Sequence, residues 1–117
     1  MSKVRAVLAV GVSLVLFSEA SSAAASSVTA GTINSMTVQV YSPGGQYFFS
    51  TTGTRTATPS CATQPRWVID TSTSAGQSQV AALLSAYTMN KKVSVTGTGT
   101  CSVWADTETV LVLYIID

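Results

Sequence analysis

Apolar residues fall at alternate positions through most of this chain and at helical spacing in one stretch only, and that single change of period limits the fold more than any other feature. Met36, Val38 and Val40 alternate with Thr37, Gln39 and Tyr41 behind Ile33, so the pattern predicts a first strand over 32–41. Ser42-Pro43-Gly44-Gly45 turns the chain, and Tyr47-Phe48-Phe49 opens a second strand, completing a hairpin. A Thr-rich loop follows through Pro59, and Arg66 to Asp70, bounded by Pro65 and a Thr/Ser cluster, is the third strand. The period then changes. Val80, Leu83, Leu84 and Tyr87 share one stripe of a helix over 77–89. A cap among Ser74 to Ser78 starts it, Asn90 in the left-handed conformation ends it, and Lys91 and Lys92 complement its negative end. Val93 and Val95 form a fourth strand that runs out into Gly97-Thr98-Gly99-Thr100, where a bend or bulge is expected. Thr109 to Ile116 is a fifth, with no polar face. Residues 26–31 read as a loose tail.

What precedes these elements reads as an export signal. Lys3 and Arg5 give a positive start, Ala6 to Phe17 is an apolar run, and small residues follow through Ala23-Ala24-Ala25. The run is too short for the ~20 residues that cross a bilayer as a helix. The expectation is a signal peptide over 1–25, cleaved after Ala25 or alternatively after Ala20, and a single domain over 26–117 that is secreted or periplasmic. Cys61 and Cys101 are the only cysteines, and in an oxidising compartment they are expected to pair. Closing that loop is worth roughly 4 kcal/mol in the chain-entropy model.

Charge removes several functions. The formal net charge is +1, and residues 26–117 hold four basic side chains (Arg55, Arg66, Lys91, Lys92) against four acids (Asp70, Asp106, Glu108, Asp117). Nucleic acid and anionic membrane want a basic face, so neither is an expected partner. With no histidine in the chain, the Ser-His-Asp and Cys-His nucleophiles, the imidazole metal ligands and the commonest general base are all absent. The chain is therefore read as not an enzyme, with no cofactor and no metal. Gly97-Thr98-Gly99 lacks the lysine and following helix of a phosphate loop.

The element order β-β-β-α-β-β is that of the OB-fold, so the sequence predicts a mainly β domain with one helix, a small five-stranded OB-like barrel. Pro59-Ser60-Cys61-Ala62, Trp67, Ala82-Leu83-Leu84-Ser85-Ala86-Tyr87 and Lys92-Val93-Ser94-Val95 ahead of the second cysteine resemble the receptor-binding B subunits of pertussis-like and subtilase-type bacterial toxins. That resemblance implies a secreted OB-fold that assembles as a homo-oligomeric ring and binds cell-surface sugars.

Among chemistry-bearing residues, Asp106 and Glu108 sit two apart beside Trp104. A glycosidase needs opposed carboxylates, which two acids on one short loop do not supply. Arg66 beside Trp67 is either a clamp for a carboxylate such as that of sialic acid or a surface partner of Asp70. A sugar site needs an aromatic face and fixed polar groups, which selects Trp104 and Asp106 with Tyr47 as a third member, although a lone Trp between strands also serves as a plug. The functional expectation is a non-enzymatic binding module for cell-surface glycan. The alternative is a structural or interaction subunit whose partner is another protein or itself.

Overall fold

The computed structural model describes residues 25–41 and 44–117, together with residue 11. The expected signal peptide, apart from residues 11 and 25, and Ser42-Pro43 of the first turn lie outside the described residues, while Gly44 and Gly45, expected in that turn, already pair in the second strand of the hairpin. The chain folds as β1 (Ser27–Gly31), β2 (Ile33–Tyr41), β3 (Gly44–Thr51), β4 (Trp67–Asp70), α1 (Ser74–Thr88), β5 (Lys92–Gly97) and β6 (Glu108–Ile116). The strands form one open mixed sheet in the order β1-β5-β6-β4-β3-β2. Every neighbouring pair is antiparallel except β4 and β6, which run parallel through Trp67 opposite Glu108 and Val68 opposite Thr109.

The architecture is thus mainly β with one helix, as expected, but it is a six-stranded open sheet and not a closed five-stranded barrel. The additional strand comes from residues read as a tail. β1 pairs with β5, Ser26 is fully buried, and the Gly97 N–H donates to its carbonyl at 2.8 Å. Too few apolar residues mark this strand for a periodicity to show. A bulge with Ala30 at φ 51° ends it, and after Thr32 the chain continues as β2 on the opposite edge of the sheet. Thr32 holds this corner: its carbonyl accepts from Thr52 N at 2.8 Å and its own N–H donates to Thr52 Oγ1 at 2.9 Å. Because the two edge strands are separated by one residue, the sheet curls until its edges approach there.

Tyr47 and Phe49 of β3, Trp67 and Ile69 of β4, Val93 and Val95 of β5, and Val110 of β6 point to one side and build the core with Val28, Ile33, Leu83 and Ala86. The helix starts at Ser74, earlier than its stripe predicts, because Thr73 caps it by accepting from Gly76 N. Its buried face also differs from the predicted one. Leu83 is buried and Val80 packs on the core, but Leu84 and Tyr87 are exposed, and Gly76 and Ala86 take the inner positions. Small residues let the helix lie close; a Cβ at Gly76 would overlap the carbonyl of Asp70. Asn90 takes the left-handed conformation, φ 55°, as expected.

Candidate functional site

The other side of β3 and β4 positions the polar chemistry. Phe48 and Val68 point away from the core yet are buried. Over Phe48 lie the edge of Trp104, with ring centroids 5.4 Å apart and planes at 86°, and the Arg66 guanidinium, 4.4 Å from the ring centroid. Trp104 belongs to the loop between β5 and β6, residues 98–107. That loop is tied to the one before β4 by the Cys61–Cys101 disulfide, whose Cα atoms are 6.1 Å apart. The expected pairing of the two cysteines is therefore present.

At one end of this face the chain leaves a shallow cleft of about 160 Å³, lined by Gly44, Gln46, Asp70, Ser72, Ser102 and Val103. Gln46 is buried and its Nε2 donates to Gly44 O at 3.0 Å. Asp70 ends β4, and its Oδ1 accepts from Ser72 Oγ at 2.6 Å and Ser72 N at 2.9 Å. The Ser72 hydroxyl and then its amide hold the Asp70 carboxyl below the ordinary carboxylate range, against a smaller opposing effect of burial. A fixed anion, an amide and two serine hydroxyls thus converge beside an aromatic loop.

The structure does not bring Tyr47, Trp104 and Asp106 together. Tyr47, 5% exposed, points into the core, where its hydroxyl lies 3.1 Å from Met36 Sδ and burial raises its pKa. Trp104 and Asp106 share the 98–107 loop, but Asp106 is occupied: Thr107 Oγ1 donates to its Oδ1 at 2.7 Å and Arg66 Nη2 at 3.2 Å. The Thr107 hydroxyl foremost, with Arg66, holds its carboxyl below the usual range. Arg66 pairs with Asp106 and not with Asp70, and its Nε also donates to Thr107 Oγ1 at 3.0 Å.

Glu108 parts company with Asp106 altogether. Its side chain has no exposed surface and accepts from Arg55 Nη2 at 2.9 Å, Gly99 N at 3.0 Å, Ser26 N at 3.2 Å and the Ser26 hydroxyl. Arg55, 13% exposed, also donates to Ser26 Oγ at 2.8 Å and to Arg66 O at 3.0 Å, and stacks 3.8 Å from the centre of the Trp67 ring. Gly97 is required beside it, since a Cβ there would overlap the Glu108 carboxylate. This is a closed, hydrogen-bonded ion pair that fastens the start of β1 to β6 and the 52–66 loop.

Sequence reasoning missed the cleft residues Gln46, Asp70, Ser72 and Ser102. One signal was present: an Asp closing a strand ahead of a Thr/Ser run favours a local side-chain-to-backbone turn, which fixes a carboxylate at a loop. Among the described residues no helix is long and apolar enough to cross a membrane, and no three metal-ligating side chains cluster. No protein-family model, curated protein or solved structure matches the chain.

Proposed function

We propose that the chain is a secreted, non-enzymatic binding module that recognises cell-surface glycan in the cleft between the β3–β4 face and the 98–107 loop. The observation that carries this reading is the lining itself. Gln46, Asp70, Ser72 and Ser102 offer a mixture of donors and acceptors for sugar hydroxyls, and Asp70 is the one titratable group among them. The disulfide supports an oxidising compartment.

The finer OB-like reading supports the location. With β1 and β2 taken as two arms of one strand bent at Thr32, the sheet order becomes arm, β5, β6, β4, β3, arm. OB-folds are partly open barrels whose second and third strands, with the loops beside them, bind oligosaccharides and oligonucleotides. Here those strands are β3 and β4, and the matching loop is 98–107. The test is a glycan array probed with the full chain, expressed for export so that the disulfide forms, beside Ser102→Trp, which fills the cleft. Glycan retention by the parent and its loss in the variant, at an unchanged melting temperature, is the expected result; equal retention by both overturns the site.

A second reading is self-assembly, alone or as the scaffold of the first, as in the toxin B subunits the sequence resembles. It is favoured by β2, a nine-residue edge strand without a charged residue, on which Val38 and Val40 are exposed.

A further inference from the structure

The cleft carries a negative charge that no cationic side chain among the described residues pairs with. Asp70 Oδ1 is taken by Ser72, while no hydrogen bond or ion pair among the described residues reaches Oδ2. The cations that could offset it are committed elsewhere. Arg66 serves Asp106, Thr107 and the Phe48 ring; Arg55 is buried on Glu108, Ser26 and the Arg66 carbonyl; Lys91 pairs with Asp117 at 3.0 Å. Lys92 opens β5, which β6 separates from β4 in the sheet.

Resting on the glycan reading, we propose that the cleft takes the terminal residue of a neutral sugar, with adjacent hydroxyls donating to Asp70 Oδ2, and rejects sugars that carry a carboxylate. An ionised acceptor makes a stronger hydrogen bond to a hydroxyl than a neutral one does. The same charge repels a sialic or uronic acid, and no cation in the cleft offsets that repulsion. Ser72 Oγ donates to Asp70 and so keeps its lone pairs for an incoming hydroxyl, while the exposed Ser102 hydroxyl can act in either sense. At about 160 Å³ the cleft is smaller than the roughly 300–1,000 Å³ of pockets that enclose drug-sized ligands, so it accommodates one end of a glycan and not a length of it. The Arg66 clamp for a carboxylate, which the sequence left open, is closed by the Asp106 pairing.

The experiment is an array of matched glycans that share a core and end either in a neutral hexose or in sialic or uronic acid, probed with the exported full chain and with Asp70→Asn. Asn keeps an acceptor oxygen for the Ser72 turn while removing the charge. The expected result is retention of neutral termini only, weakened by about tenfold in Asp70→Asn, the loss that goes with one charge-assisted hydrogen bond. Equal or stronger retention of the acid-terminated set overturns the proposal and leaves the glycan reading standing. Neutral binding unchanged in Asp70→Asn also overturns it. Retention of no glycan by the parent overturns both. Preference between neutral and acidic termini is read on the unsubstituted protein, so a variant that fails to fold does not remove the test.

Discussion

The residue on which most of the fold's polar chemistry converges is Glu108. A fully buried carboxylate is tolerated only when its charge is matched and its oxygens are filled, and Arg55, Ser26 and Gly99 do both. Glu108→Ala strands the Arg55 guanidinium over Trp67 and is expected to cost about 3–5 kcal/mol, read from denaturant unfolding. Replacing both partners by apolar residues, Arg55→Met with Glu108→Leu, should recover a substantial part of that loss; a double variant as unstable as the single one contradicts the charge argument. Trp104 behaves differently. It lies edge-on against Phe48 and half-exposed, so Trp104→Ala should cost about 1–3 kcal/mol, less than the loss of a fully buried Trp, and Trp104→Phe should restore most of it. A loss of 4 kcal/mol or more from Trp104→Ala means the ring is a plug. Neither arrangement was legible in the sequence. Two acids two residues apart look alike on paper, and nothing local says that one meets Arg55, which lies 53 residues away in the chain, while the other meets Arg66.

Among the elements, those with strong local periodicity were legible and those built by long-range pairing were not. β2, β4, β5 and β6 fall within a residue of the predicted spans, because alternate burial leaves its mark on composition, whereas β3 begins three residues before Tyr47, at glycines that carry no apolar signal. β1 escaped because its pairing with β5 is carried by backbone hydrogen bonds and one buried valine, Val28. The helix was found, but its inner face was not, since Gly76 and Ala86 are chosen for closeness and carry little apolar signal. The 98–107 loop depends on its anchors, and two measurements test them. Without reductant, alkylation should find no free thiol. Reduction should lower the melting temperature by something on the order of 20 °C if roughly 4 kcal/mol is at stake, and should abolish the proposed glycan retention by releasing Ser102 and Trp104. The second anchor is the Thr107 and Arg66 grip on Asp106. A carboxyl whose pKa is lowered on folding adds stability that is complete above the unfolded value of about 4 and is lost as the pH falls through the lower folded value. Asp70, lowered by Ser72, acts in the same direction. Stability should therefore hold level from neutrality down to about pH 5 and decline below pH 4, and the Asp106→Asn variant should show a shallower decline.

For the whole molecule the sequence left open what covers the second face of its last strand, which has no polar side, and the sheet order adds a second exposed apolar stretch on β2. β2 lies at one edge, and the register places Val38 opposite Tyr47 and Val40 opposite Gly45, so both valines point to the core side of the sheet. Yet they are 63% and 85% exposed, because the core stops short of the end of the strand. β6 repeats the pattern: β4 pairs with it only through residues 108 and 109, and beyond them Leu111, Tyr114 and Ile115 are exposed. Edge strands are normally blunted by charge, proline or a bulge. β1 has its bulge, but from Met36 to Tyr41 β2 pairs regularly and carries none of these devices. An unblunted edge flanked by exposed valines is a template on which another strand can pair, and in the self-assembly reading a second copy of the chain supplies that strand. β2 of one copy lying along the exposed end of β6 in the next makes a head-to-tail contact, which closes into a ring when the rotation allows. The expected outcome in light scattering is a species larger than one chain at micromolar concentration, and Val38→Lys with Val40→Lys should return it to a monomer without unfolding it, since neither side chain belongs to the buried core. A monomer at tens of micromolar in the unsubstituted, disulfide-bonded protein removes the self-assembly reading. The proposal of glycan binding in the cleft survives that result, because all the residues that line it come from one chain.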